Sequence, residues 1–408
     1  MIRTISIEEL VIGMYVKDVT WANSAYKVKT QGLVKSQKII NQLKDQGVVS
    51  LVVEDEPAIN TNDASTSTEE PNANVQALAD KQPTDKAPLL KLSKIKPRSL
   101  EDEFSQSCDL YANATDNAKE IFDDINSGKP LNAGAINAFA GAITESVIRN
   151  EYAMAILTRI RDKSTYQWEH AINCAILMCG FSLYLGLKKE TAAQITLGAI
   201  LHDIGNAKVS QGILNKPTKL TENDISVIQK HVMWGYDACK KDGLTNKIVT
   251  DIIINHHERL DGSGYPRKIG ENKLSKLARM IAIVDVYDAM TGDKPYKAGE
   301  QPVNAFRYLM AKNNLFDRAL VQQFIKYLGI HPVGSLVKLS DEKLAIVIKG
   351  NRDDPMKPLV KVFYNLKHTR YITSVNCDLA KDEKTTIVSP VRPDDYKINI
   401  ARMIREII

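Results

Sequence analysis

Two fragments of this chain carry side chains that bind divalent metals. His202-Asp203 ends the apolar run LGAIL and is followed by Gly205, and His256-His257 ends the run DIIIN and opens HHERLDGSGYP. Neutral imidazole and carboxylate suit first-row divalent cations, and one carboxylate has two oxygens with which to bridge two ions. With His170, His231 and Asp285, the fragments supply enough donors for more than one metal. The chemistry such a set supports is hydrolysis of a phosphate ester by metal-activated water.

Each member also has an ordinary reading. An isolated His-Asp pair occurs by chance, but here it stands at the end of a buried-type helix. Neighbouring helical residues project about 100° apart. His256 and His257 can therefore serve one site only near a helix end; otherwise one is a core histidine and the other an exposed one. His170, before INCAIL, and His231, within IQKHVMWGY, read equally as packed or capped histidines. Asp285, in MIAIVDVYDAM, is costly inside an apolar helix unless it is paired or metal-bound. Asp288, one turn on, could hold a ligand by a hydrogen bond. Gly262 and Gly264 make a compact loop able to bring backbone N–H groups near phosphate. His331 and His368 lie in no comparable surroundings.

The elements that must position these residues are mainly α-helical. From Ser99 to Gly329 apolar residues recur at three- and four-residue spacing. This predicts helices over 135–148, 153–160, 171–185, 192–201, 222–239, 247–256, 274–290, 303–310 and 319–328, with a further start at Ser99 followed by Glu101, Asp102 and Glu103. Residues 1–56 read as a small α/β domain: strand-like stretches flank Gly13-Met14, a helix capped by Ser36 carries Ile39, Ile40 and Leu43 to a stop at Gly47, and 48–53 form a strand. Residues 57–98 read as a flexible linker, rich in Pro, Asn, Asp, Ser and Thr before the basic KLSKIKPR. The helical catalytic domain spans 99–331, with its core at about 152–328. Residues 332–408 read as a β-rich extension built from SLVKLS, LAIVIKG, LVKVFYN and TRYITSV, closing in a helix over 394–408.

Composition narrows the function classes. A formal charge of +5 over 408 residues is too small for the dense basic face of a nucleic-acid binder. Five cysteines, none in a CxxC pair, point to free thiols in a reducing compartment. The N-terminus lacks the features of a signal peptide, and 171–187, short and containing Asn173 and Ser182, reads as a core helix rather than a membrane span. The expected location is the cytoplasm.

In its motifs and their order the chain resembles the HD-GYP family of cyclic-dinucleotide phosphodiesterases, a branch of the HD hydrolases. The resemblance runs from about Tyr152 to Leu328 and rests on TYQWEHAINCAIL, HDIGN, KPTKLTENDISVIQKHVMWG, HHERLDGSGYP and VDVYDAMTGDKPYK. IEELVIGMYV resembles the start of a small domain often found before such modules. The resemblance implies metal roles for His170, His202, Asp203, His231, His256, His257 and Asp285, with Asp203 bridging, and a signature loop at Gly264, Tyr265 and Pro266 with Gly262 beside it. It implies iron or manganese, a cyclic di-GMP substrate cleaved to the linear dinucleotide or GMP, and attack by a metal-bridging hydroxide promoted at His202 and Asp203.

Three places depart from the family. Asn206 stands where HDIGK has lysine, so one phosphate-binding charge is missing; Lys294 and Lys297 keep charge but not the bidentate fork of the family's arginines. Tyr166 stands where members with three metals have glutamate, which favours two ions. Substrate contacts are expected from Lys294, Lys297, Asn206, Gly262, Gly264 and Tyr265. Two other readings stay open. One is a cyclic GMP-AMP phosphodiesterase. The other is a weakened signalling adaptor, favoured by Asn206, whose GYP loop docks a diguanylate-cyclase-type partner; retention of all seven proposed ligands argues against it.

Overall fold

The structure, a computed structural model, describes residues 2–11, 15–21, 32–34, 40–41, 43–44, 48–54, 95–160, 166–214, 216, 218–293 and 298–408. The chain divides into two compact units, Met1–Pro71 and Asn72–Ile408. In the first, β1 (Ile2–Ser6), β2 (Tyr15–Trp21), β3 (Gly32–Leu33) and β4 (Val48–Glu54) form an antiparallel sheet in the order β1-β4-β2-β3. Ile5, Val48 and Leu51 share its core with Ile40 and Leu43, which are three residues apart and lie on one helical face. The expected caps of that helix, Ser36 and Gly47, and the segment 57–94 lie outside the described residues.

The second unit begins with α1 (Leu100–Ser127), capped by Ser99, whose Oγ accepts from the Asp102 N–H, and closed by left-handed Gly128. Next come α2 (Ala133–Arg149), α3 (Ala153–Leu157), α4 (Tyr166–Tyr184) and α5 (Lys189–Leu201). They are followed by α6 (Gln211–Leu214), α7 (Glu222–Gln229), α8 (His231–Lys241), α9 (Lys247–Asn255), α10 (Lys276–Thr291), α11 (Pro302–Ala311) and α12 (Arg318–Leu328). The centre is α4, buried continuously from Ala171 to Leu183 and packed against α1, α5 and α10. Burial on all sides explains why its apolar residues show no single stripe. No helix among the described residues is long and apolar enough to cross a membrane.

The helix expected over 222–239 is two helices, because the His231 ring takes the Ile228 carbonyl at 2.7 Å and competes with the backbone ladder there. The element expected over 153–160 stops at Leu157. The closing helix expected over 394–408 is a short 3-10 turn, Pro393–Tyr396, then left-handed Lys397, then α13 (Ile400–Ile407) capped by Asn399. Before it, β5 (Leu336–Leu339), β6 (Lys343–Lys349), β7 (Leu359–Asn365), β8 (Arg370–Asp378) and β9 (Ile387–Pro390) form an antiparallel sheet in the order β8-β7-β6-β5-β9. Only β9 was not expected; its four residues end in proline, which suits an edge. The sheet and the helices share one apolar core.

The start of α1 is fastened by charge. Glu103, fully buried, takes a bidentate pair from Arg149 at 2.8 and 2.9 Å and the Ser146 hydroxyl at 2.8 Å, with Arg98 at 3.3 Å. Removing one partner of such a pair strands the other. Glu103→Ala should lower unfolding free energy by about 3 kcal/mol, read as a fall in the denaturation midpoint; a midpoint matching the parent would show that the pair contributes nothing.

Candidate metal centre

Five elements deliver the seven residues. His170 lies in the first turns of α4, His202 and Asp203 follow the last residue of α5, His231 opens α8, His256 and His257 follow the last residue of α9, and Asp285 lies within α10. Placement just past a helix end resolves the His256-His257 geometry, since neither ring is bound to the helical 100° step. The turn Ile204–Lys208 is drawn tightly onto α8: a Cβ on Gly205 would sit 1.9 Å from the His231 carbonyl oxygen and 2.6 Å from the Gly235 nitrogen.

Three of the rings are fixed in the same way. Nδ1 of His202, His231 and His256 each donates to the carbonyl three residues earlier, of Ala199, Ile228 and Ile253, at 2.7 Å. With Nδ1 so used, each Nε2 faces inward and is the atom left to meet a cation. Two of these, on His231 and His256, lie 3.2 Å apart, and buried Nε2 of His202 has no hydrogen-bond partner among the described residues. Asp203 stands between two groups. Its Oδ1 faces Nε2 of His231 at 3.1 Å and of His256 at 3.6 Å; its Oδ2 faces Nε2 of His202 at 3.6 Å and of His170 at 3.8 Å. Asp285 lies 3.2 Å from His170 Nε2 and 3.7 Å from His257 Nδ1. The donor atoms fall into two sets, each within 4.8 Å: His170, Cys174, His202 and Asp285; and Asp203, His231, His256 and His257. Converging lone pairs and carboxylates in a buried place are what divalent cations require, so the residues present fit a pair of ions.

The surroundings set the charges. His170 donates through Nδ1 to Asp288 Oδ2 at 2.7 Å. Burial opposes charge on His170, but the contacts with Cys174, Asp285 and Asp288 outweigh it and hold the imidazolium well above its usual range. The Cys174 thiol, 3.8 Å from His170 Nδ1, is itself pushed up to about 12 by burial; it is neutral, and the carboxylates carry the effect. Burial also opposes charge on His231, yet the hydrogen bond to Asp203 raises its pKa. Burial lowers His202 to about 4 and, with the neighbouring His256, holds His257 well below the imidazole range. Desolvation disfavours charge on half-buried Asp203 and buried Asp285, but the surrounding histidines hold both below the usual carboxylate range.

The glycine loop is organised differently from its expected role. The N–H groups of Gly262, Ser263 and Tyr265 are used within the loop, on Arg259 O, Asp261 Oδ1 and His257 O, so they do not form a phosphate cradle. Gly264 is required because a Cβ there would lie 2.4 Å from Glu258 Cα, and Gly262 is left-handed at φ 75°. The loop presents the Tyr265 ring, 4.6 Å from the His257 ring. Its anchor is Glu258, only 1% exposed, whose carboxylate accepts from the N–H groups of Arg267 and Ile269. Sequence reasoning gave Glu258 no such role, although a carboxylate beside two histidines was the available signal. Cys174 was also missed, although it stands one helical turn from His170.

Residues 159–320 match the family model described as an HD domain. This chain carries an HD domain. All seven residues fall inside it. Residues 2–136 match a domain of unknown function (DUF3391), and residues 336–399 match a KOW domain associated with HD domain. Over 395 residues the chain is 28% identical to a cyclic di-GMP phosphodiesterase of Pseudomonas aeruginosa, with 96% of this chain and 92% of that one covered. It is 36% identical over 146 residues to the cyclic di-GMP phosphodiesterase response regulator RpfG of Xanthomonas campestris, covering 35% of this chain and 38% of the relative. To the 3'3'-cGAMP-specific phosphodiesterase 1 of Vibrio cholerae it is 35% identical over 159 residues, covering 39% and 36%. The chain thus spans nearly the whole of the first relative and just over a third of the other two.

Within the HD domain, Asn206 is half-buried in the turn after Asp203, its N–H on the Asp203 carbonyl. Lys294 and Lys297 lie outside the described residues, as does the side chain of Tyr166. The charge pattern makes metal uptake an exchange against protons. His170 and His231 hold protons above the ordinary imidazole pKa, so a metal must displace them, and its affinity rises with pH through that range. The metal-free chain keeps the stability due to these imidazoliums below about pH 6.5 and loses it as pH rises through their folded values. Calorimetric titration of metal-stripped protein with Mn(II), in buffers of different ionisation enthalpy, should show proton release and an affinity rising about tenfold per pH unit for each proton displaced. Binding with no proton release would contradict this charge assignment.

Proposed function

We propose that this chain is a metal-dependent phosphodiesterase that opens cyclic di-GMP to the linear dinucleotide or onward to GMP, acting in the cytoplasm as part of second-messenger signalling. The observation that carries this reading is the Asp203 carboxylate, with one oxygen toward each of two sets of buried donors. His170, His202, Asp203 and Asp285 would hold one ion, and Asp203, His231, His256 and His257 the other. Mixed imidazole and carboxylate donors with no charged thiolate suit iron or manganese. When bound, the two ions lower the pKa of water and neutralise charge on the phosphoryl oxygens.

The protein's own residues supply geometry and charge. Asp288 orients His170, the backbone orients His202, His231 and His256, and Tyr265 walls the site beside His257. Lys294 and Lys297 attract the substrate phosphate electrostatically. Gly262 and Gly264 serve by shaping the loop that presents Tyr265. Free cysteines accord with a reducing compartment. Identity to the cGAMP-specific relative supports 3'3'-cGAMP as an alternative substrate for the same site. An adaptor role, with the GYP loop docking a diguanylate-cyclase-type partner, keeps one supporting observation, the neutral Asn206 beside Asp203.

Asp203→Ala removes the one group common to both sets. Turnover of cyclic di-GMP should fall more than about a hundredfold, beyond the range for an outer supporting residue, with metal content dropping from two ions per chain. Near-parental turnover at full metal content would refute the bridging role. Asn206→Lys restores a charge near the substrate phosphate. A charged hydrogen bond there is worth about 1–3 kcal/mol, so kcat/KM should rise about tenfold. If the wild type binds cyclic di-GMP without cleaving it and the lysine variant cleaves it, the adaptor reading replaces the enzyme.

A further inference from the structure

Beyond the C-terminal end of α10, a cavity of about 380 Å³ lies between the helices and the C-terminal sheet. Its volume is within the range of small-ligand sites, about 300–1,000 Å³. Both layers build it. The helical side contributes Arg159, Thr291 and Asp293; the sheet and the segment after it contribute Ser335, Arg392 and Asn399. Close backbone packing holds its walls. A Cβ on Gly299 would lie 2.2 Å from the Thr291 carbonyl oxygen, and one on Gly334 would lie 2.9 Å from Arg159 Cγ. Arg392 ties the two layers by donating to the Gly299 carbonyl at 2.7 Å.

The lining is polar and of mixed sign. Arg159 and Arg392 face Asp293, Glu300 and Asp394. A free phosphate would meet an excess of carboxylate, and a purely apolar ligand would strand charged groups. The fitting ligand is flat or compact and carries both donors and acceptors. In the floor, the hydroxyls of Thr291 and Ser335 are 7% and 6% exposed as residues and have no hydrogen-bond partner among the described residues. Asp293 uses Oδ1 to accept the Gly299 N–H at 2.7 Å, and its Oδ2 has no partner among the described residues.

The position relative to the metal centre narrows the choice. Thr291 lies six residues beyond Asp285 on one helix, a rise of roughly 9 Å along the axis with the two side chains about 120° apart around it. That is the scale of the step from a phosphorus across its ribose to the attached base. We propose that this cavity receives one guanine base of the cyclic dinucleotide, with the Asp293 carboxylate accepting from its N1–H and amino group. The arginines answer O6 and N7, for which guanidinium is the commonest partner. Adenine is disfavoured, because its N1 is an acceptor and would face the carboxylate. The inference rests on the cyclic-dinucleotide reading above and adds to it a role for the C-terminal sheet in choosing the base.

The test compares cyclic di-GMP with bis(p-nitrophenyl) phosphate, a diester that has no base, on the metal-loaded full chain. Asp293→Asn keeps an acceptor for Gly299 but replaces the free oxygen by a donor. The ratio of kcat/KM for cyclic di-GMP to that for the base-free diester should fall about tenfold, mostly through KM. Guanosine should inhibit wild-type cleavage of cyclic di-GMP competitively and more strongly than adenosine. A ratio within twofold of wild type, or equal inhibition by the two nucleosides, overturns the base pocket. Wild-type protein that cleaves the base-free diester but not cyclic di-GMP overturns the substrate reading instead.

Discussion

The bond from a histidine Nδ1–H to the carbonyl three residues behind it organises this molecule. It occurs three times, at His202, His231 and His256, and each time it fixes which nitrogen carries the proton and where the other one points. It also uses a carbonyl that a continuing helix would claim. The rings therefore stand where helices start or stop, and the ends of α5, α8 and α9 must meet at one place. Gly205 and Gly235 permit that meeting by removing side chains from the contact between the Ile204–Lys208 turn and α8. Asp203 then lies within reach of both sets of nitrogens, and the buried centre gains charge balance that its lone pairs alone could not supply.

Much of this was legible in the residues. Apolar spacing predicted most helices of the 99–331 region, because amphipathic burial and helical period coincide there. The grouping of the seven residues came with the family resemblance, since His170 and His231 by themselves read equally as packed histidines. Less legible were features decided by tertiary contact. The break at Lys230 depends on the His231 ring reaching a carbonyl, which no propensity encodes. Glu103 looked like an ordinary acid in a first helical turn, yet it is buried against Arg149, forty-six residues away. The GYP loop looked like an anion cradle, but the N–H groups of Gly262, Ser263 and Tyr265 are consumed by its own turns and its carboxylate anchor sits in the preceding motif.

The match of residues 2–136 to a single family model runs past the segment 57–94 and through α1. That helix packs on α4 and on the turn after Asp203. Tyr111 donates to Asn173 at 2.8 Å, and Lys119 lies over the Trp168 ring, so contacts from α1 fall on either side of His170 along α4. A boundary drawn at the start of the HD match would therefore separate α1 from the element whose position it helps to define.

The supports of the four aligned rings differ in one respect. Three are held by main-chain carbonyls, which every residue type possesses, so substitutions at Ala199, Ile228 or Ile253 leave the supporting oxygen in place. His170 is held by the side chain of Asp288. Genetic variation can thus reach the orientation of one ring cheaply and of the other three only by altering the helices themselves. Drift in metal preference or activity among descendants of this sequence has its easiest route through position 288.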